Sequence, residues 1–252
     1  MALTVGASAD IVKAAESLTA ADVVKRIAGI YALESLARSG SGSRKAVVNI
    51  LSAFVRERSS RQDQNEDWQE LSREASNSDI ELALRSLSKL NSQALRIRID
   101  LRGAQLASAD LSNLNLARAD LSGAVLNGSD LSFSNLAQVS LRSTSLVGSR
   151  LDGANLTDAV LDDTDLTKAS LVSTNLTGAL IRSAKMRGVY AISTNFSGAL
   201  LGEVDLTGAH LRDVEIKFSG DDTEDSQPRI SRPHVAELQA DGPGSDLPGE
   251  KF

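Results

Sequence analysis

An apolar residue stands at every fifth position of this chain from Leu101 to Ile216, and the register holds over 24 consecutive positions. Nineteen of these residues are leucine, and the other five are Ile181, Met186, Ala191, Phe196 and Ile216. A helix repeats about every 3.6 residues and a strand about every 2, so neither can place every fifth side chain on one buried face. The chain must therefore coil around an axis in this region.

A longer interval of 20 residues is superimposed on the interval of five. Asn stands just before the large apolar residue at positions 115, 135, 155, 175 and 195. Gly recurs with the same spacing at 128, 148, 188 and 208, interrupted by Lys168. If one coil takes 20 residues, the asparagines form a ladder of amides along the axis and the glycines form one corner where a positive φ is allowed.

The position two residues before each large apolar residue is mostly occupied by a small one, as Ala104 and Ala109 show. The pattern then becomes Ala-(Asp/Asn)-Leu-x-x, as in residues 109–113 and 154–158. This pattern resembles the pentapeptide-repeat family, and the resemblance implies a right-handed quadrilateral β-helix with four pentads per coil. We therefore expect a mainly β fold of about six coils over residues 96–218, about 29 Å long at the usual strand spacing.

Residues 1–95 contain no pentads and show a helical period instead. Apolar residues recur there at steps of three and four in the stretches 9–18, 23–36, 47–55 and 80–90. Residues 26–37 and 50–57 resemble the helical segment that precedes the β-helix in certain bacterial pentapeptide-repeat proteins. We predict an α-helical capping domain that covers the open edge of the first coil through Ile97 and Ile99. The alternative is a helical domain with its own partner.

Residues 219–252 differ from both preceding segments. They carry a net charge of −5, against +2 for residues 1–98 and −3 for residues 99–218. They also contain all four prolines of the chain. This composition predicts an acidic, disordered tail. Within it, residues 233–239 are compatible with one helical turn that places Val235 and Leu238 on the same side.

Few residues of this chain suggest catalysis. Cysteine is absent, so there is no thiolate nucleophile, disulfide or cysteine metal site. His210 and His234 have no obvious ligand or acid–base partners, and no phosphate loop, serine elbow or paired-histidine motif occurs. We therefore expect no enzyme, no catalytic residue, no cofactor and no metal. The chain has no long apolar span and no signal-peptide pattern, so we expect a cytoplasmic protein without a membrane segment.

The outer surface of the coil is where a function is expected. Stacking the sequence in steps of 20 places Asp100, Asp120, Ser140, Val160, Leu180 and Leu200 in one outward column. The last three, called here the apolar column, lie next to a column that includes Asp162 and Arg182. An exposed apolar strip rimmed by charges is typical of a partner surface. We predict these five residues as partner-binding residues. The alternative is that the tail or a neighbouring coil covers the column.

These observations favour a non-enzymatic scaffold that binds a protein partner, which is another protein or a second copy in a homodimer. Direct nucleic-acid binding is not expected, because no broad basic stripe is present. The family resemblance implies a second possibility, since some members imitate duplex DNA and protect type II topoisomerases such as DNA gyrase. A net charge of −3 over residues 99–218 is modest for such a DNA mimic.

Overall fold

The structure of the protein, a computed structural model, describes residues 9–39, 41–62, 71–91 and 97–214. The predicted tail, residues 219–252, lies outside the described residues. Four helices come first: α1 Ala9–Ser17, α2 Val23–Ser39, α3 Ser41–Gln62 and α4 Leu71–Leu90. Four short strands follow: β1 Leu180–Arg182, β2 Tyr190–Ile192, β3 Leu200–Gly202 and β4 His210–Arg212. The division into three domains stays a prediction.

One turn of the coil takes 20 residues. Parallel bridges join residue pairs that are 20 apart in sequence, in four columns that begin with Asp100–Asp120, Gln105–Val125, Asp110–Asp130 and Asn115–Asn135. The strand pairs β1–β3 and β2–β4 keep the same spacing. The coil therefore has four sides, one for each pentad. Most contacts between coils are single-residue bridges, because each side is only a few residues long before the chain bends. The described coils therefore contain few continuous strands, although their backbones pair in parallel throughout. The right-handed sense stays a prediction.

The large inward residues form the core that the five-residue interval predicts. All leucines at these positions from Leu101 to Leu176 are at most 2% exposed. Polar residues at the small inward positions remain buried by donating to backbone carbonyl groups. The hydroxyl of Thr144, for example, donates to the carbonyl oxygen of Leu121 at 2.8 Å. Burial of such a hydroxyl is tolerated because its hydrogen bond replaces the one lost to water. Ile216 lies outside the described residues.

The corners of the coil confirm one prediction and extend it. Gly128, Gly148, Gly188 and Gly208 have a positive φ, and so does every other described corner, with nine glycines and fourteen other residues in this conformation. Lys168, which interrupts the glycine column, has a φ of 59°, and Phe133 has the same value. A five-residue repeat must bend once per pentad, and the third residue of such a turn takes a positive φ. Hydrogen bonds to the next coil, such as Ser108 N–H to Asn127 O at 2.9 Å, offset the cost of this conformation.

Helices α3 and α4 lie against the first coil. The buried hydroxyl of Ser59 accepts a hydrogen bond from the N–H of Gln105 at 3.1 Å, and the hydroxyl of Ser88 accepts one from Asn115 at 2.7 Å. The side-chain amide of Asn91 donates to the carbonyl oxygen of Asn115 at 3.0 Å. In later coils the preceding coil supplies these partners. These side chains therefore take the place that the preceding coil has elsewhere. The role of residues 1–95 as a capping domain stays a prediction.

Candidate partner-binding surface

The three residues of the apolar column stack in register. Parallel pairing joins Val160 to Leu180 and Leu180 to Leu200. Val160 and Leu180 are half-buried, whereas Leu200 is 60% exposed. Neighbouring coils therefore cover part of the first two side chains and leave the third open to solvent. The stacking follows the 20-residue interval, and the binding role of the column stays a prediction.

The charged residues beside the column do not act as a pair. The Nε atom of Arg142 lies 3.5 Å from an Oδ atom of Asp162, so Asp162 is paired with the preceding coil. Arg182 forms no ion pair with any described residue, and its side chain runs along Gly202, where a Cβ would lie 3.6 Å from its Cγ atom. Asp162 therefore faces Arg142 through one carboxylate oxygen, while its buried Oδ1 atom has no hydrogen-bond partner among the described residues. The role of Asp162 and Arg182 in binding a partner stays a prediction.

The other border of the column carries one charged residue. It consists of the corner residues Asp158, Gly178 and Gly198, with the exposed Asp158 carboxylate reaching over Gly178, together with the polar side that carries the asparagines. The predicted amide ladder is present between Asn135 and Asn115 at 3.1 Å and continues to Asn155 at 3.4 Å. The amide of Asn175 leaves this pattern and donates to the hydroxyl of Thr157 at 3.2 Å. The column therefore borders a polar surface on which the amides of Asn135, Asn155 and Asn175 are hydrogen-bonded to the preceding coil.

Sequence reasoning missed two exposed aromatic features. The rings of Tyr190 and His210 stack with centroids 4.7 Å apart and an interplanar angle of 10°. Phe133 is 68% exposed, and its ring covers Gly153, where a Cβ would lie only 2.7 Å from it. Both pairs are 20 residues apart, so the interval that revealed the apolar column also contained these contacts. His210 therefore has a structural role, as a stacking partner.

Within the residues that the structure describes, no group of three or more His, Cys, Asp or Glu side chains is placed to hold a metal ion. Across the same described ranges, no helix combines the length and the apolar character needed to cross a membrane.

Comparison with known proteins locates the repeats in the coil. The family model described as pentapeptide repeats matches in eight copies, over residues 99–132, 134–171 and 159–198. A solved pentapeptide repeat protein of the Arabidopsis thaliana thylakoid lumen is 31% identical, over 44% of this chain and 71% of that chain, with a TM-score of 0.23. No curated protein matches the chain.

Two cyanobacterial structures are similar as well. Rfr23 from Cyanothece 51142 is 25% identical over 47% of this chain and 86% of that chain, with a TM-score of 0.35. HetL from Nostoc sp. strain PCC 7120, described as involved in heterocyst differentiation regulation, is 32% identical. That match covers 48% of this chain and 62% of HetL, with a TM-score of 0.26. The chain thus spans less than two thirds of HetL.

Proposed function

Since the chain belongs to the pentapeptide-repeat family, we propose that it is a non-enzymatic scaffold that binds another protein through the apolar column. The observation that carries this proposal is Leu200, the last described member of the column, which exposes 60% of its surface. Covering an aliphatic side chain of this size contributes about 1.5–3 kcal/mol when the burial is complete. A partner that covers Leu200 therefore gains affinity from a contact that the coil itself does not make.

The borders of the column indicate the chemistry of the partner. Interface centres are poor in charge and their rims are polar, and here Gly178 and Gly198 lie beside Leu180 and Leu200, with the carboxylate of Asp158 at the Val160 end of this border. On the opposite border, Arg182 has no ion pair with a described residue. The fitting partner brings an apolar side chain to Leu180 and Leu200 and a carboxylate to Arg182. The column is only about 10 Å long at the spacing between coils, so the contact belongs to the small, transient class of interfaces.

The role of a DNA mimic that protects a topoisomerase stays a prediction, as does the cytoplasmic location, since one relative is a thylakoid lumen protein. The described outer faces carry alternating charges. Lys185 lies 3.7 Å from Asp165, and Arg187 lies 3.3 Å from Asp205. Such pairs do not reproduce the uniform negative charge of a phosphate backbone. The geometry therefore favours binding through the column.

The test compares Leu200→Asp with Phe133→Asp. Both positions are exposed and apolar, and they lie on different sides of the coil, so the second variant is a matched control. Surface substitutions of this kind change stability little, and circular dichroism melting checks that both variants fold. Leu180→Asp is less suitable, because Leu180 is half-buried. Proteins captured from a native lysate by the parent chain are identified, purified and titrated against each variant.

We expect Leu200→Asp to weaken binding of a captured protein at least about tenfold, equivalent to about 1.4 kcal/mol, and Phe133→Asp to leave it unchanged. If the parent chain and Leu200→Asp bind the captured protein equally well, the apolar column is not the binding site. Sedimentation velocity across protein concentrations tests the second-copy alternative. If the parent chain self-associates and Leu200→Asp abolishes this association, the partner is a second copy in a homodimer rather than a different protein.

A further inference from the structure

Helix α2 is apolar on two opposite sides. One side carries Ile30, Leu33 and Ala37, which are fully buried. On the other side, Val24 is 67% exposed and Tyr31 is 55% exposed. A surface helix usually turns one apolar side inward and a polar side to water. The outer side of α2 departs from this pattern, as a helix that binds a further partner does.

The exposed residues of α2 follow the spacing of a seam between two helices. Four exposed residues at steps of four, three and four form one stripe, called here the α2 stripe: Val24, Ala28, Tyr31 and Ser35. An α-helix places these positions within an arc of about 60°. This spacing aligns the stripe with a second helix that packs at a small crossing angle. Because Ala28 is small, that helix can approach closely between Val24 and Tyr31.

Both borders of the α2 stripe are basic. Lys25 is exposed at one border. At the other border, Arg38 and Lys89 both contact a carboxylate oxygen of Glu34, at 2.5 and 3.3 Å. The side chain of Glu34 is only 7% exposed, whereas those of Arg38 and Lys89 are 60% and 51% exposed. This border therefore presents cations to solvent, because the carboxylate lies beneath them.

We propose that the α2 stripe binds an amphipathic helix of a different protein, independently of the apolar column. The apolar residues of this helix cover Val24 and Tyr31, and its carboxylates face Lys25 on one border and Arg38 on the other. Recognition of this kind depends on apolar anchors at helical spacing. Opposite charges across the interface fix the orientation of the partner and speed its association.

The same features disfavour two other occupants. A second copy brings the basic borders of two α2 stripes together, where like charges repel. A helix that lies in a membrane surface needs a broad apolar face. The α2 stripe has only two large apolar side chains, Val24 and Tyr31, about 10 Å apart along the helix.

Fluorescence anisotropy of the full chain with two labelled helical peptides tests the charges. Both peptides carry leucine at the a and d positions of about three heptads, and their e and g positions are glutamate in one and lysine in the other. We expect the parent chain to bind the glutamate peptide at least about tenfold more tightly. Lys25→Glu should reduce this preference. The matched control Lys168→Glu, at an exposed lysine of the coil, should leave it unchanged.

A second pair of variants tests the apolar contact. Tyr31→Glu should weaken binding of the glutamate peptide at least about tenfold, because it places a carboxylate in the middle of the α2 stripe. Tyr190→Glu makes the same change at the other tyrosine of the chain, which is 47% exposed on the coil, and should leave the affinity unchanged. Circular dichroism melting checks that both variants fold.

Several results would overturn the proposal. If neither peptide binds the parent chain, or if both bind equally well, the basic borders do not select the partner. If Tyr31→Glu and Tyr190→Glu have equal effects, the α2 stripe is not the site. If the parent chain self-associates in sedimentation velocity and Tyr31→Glu abolishes this, a second copy covers the stripe. If the parent chain binds vesicles of phosphatidylserine and phosphatidylcholine and Tyr31→Glu prevents this, the occupant is a membrane surface.

Discussion

Truncation of one central leucine tests the register of the whole coil. Leu151 is fully buried, and it stacks between Leu131 and Leu171, which are at most 1% exposed. Leu151→Ala removes three carbon atoms from a core that has no solvent-exposed side at this point. Such a truncation costs about 2–5 kcal/mol, the lost transfer energy plus a cavity term that depends on how far the neighbours relax. For a chain of this size the melting temperature should fall by about 4–20 °C.

The control is the preceding residue, Arg150. Its side chain is 62% exposed, and its guanidinium lies 3.7 Å from Asp130 and 3.6 Å from Asp152. Exposed ion pairs contribute about 0–1 kcal/mol, so Arg150→Ala should lower the melting temperature by only a few degrees. Thermal unfolding followed by circular dichroism measures both variants under identical conditions. Equal melting temperatures for Leu151→Ala and Arg150→Ala would refute the inward register, since adjacent residues would then contribute alike.

Two more expectations concern the boundary between the helices and the coil. Deletion of residues 1–95 removes the partners of Gln105 and Asn115 and should cause self-association, visible in size-exclusion chromatography with light scattering. A soluble monomer would instead favour an independent helical domain. Asp110 accepts hydrogen bonds from the Ser112 hydroxyl and backbone and from Arg85 of α4, and these contacts hold its pKa below the ordinary 3.8. Its contribution to stability is therefore complete above pH 3.8 and is lost as the pH falls through the lowered value. In urea unfolding, Asp110→Asn should have a lower free energy of unfolding than the parent chain at pH 7. This difference in free energy should become smaller in acid. A difference that does not change with pH would contradict the role of the Asp110 carboxylate.

The 20-residue coil could be predicted because each pentad contacts a copy of itself. Asn135 meets Asn115 and Asn155, so a regular spacing in the sequence becomes a ladder in space. The prediction of a positive φ for the glycine column is confirmed, but that column is only a part of the left-handed corners. The residue type at a corner indicates whether a positive φ is easily tolerated there. The geometry of the coil, however, imposes a positive φ on Lys168 and Phe133 as well.

The candidate surface shows where sequence reasoning stops. The 20-residue interval placed Val160, Leu180 and Leu200 in one outward column, and the structure shows that stacking. The interval could not rank them by exposure, because the coverage of a side chain depends on every neighbour around it and not on its own direction. The interval also stacks Arg142, Asp162 and Arg182 in one column, but it could not decide that Asp162 pairs with Arg142 rather than with Arg182.

The sequence by itself determined which side chains point inward and how many residues make one coil. These properties follow from the five-residue and 20-residue intervals, which can be seen in the sequence without knowledge of how distant segments pack. Only the tertiary structure decided that Ser59, Ser88 and Asn91 bond to the first coil and that Leu200 is left open. Contacts of this kind join segments with no common period, so their partners are set by packing in three dimensions.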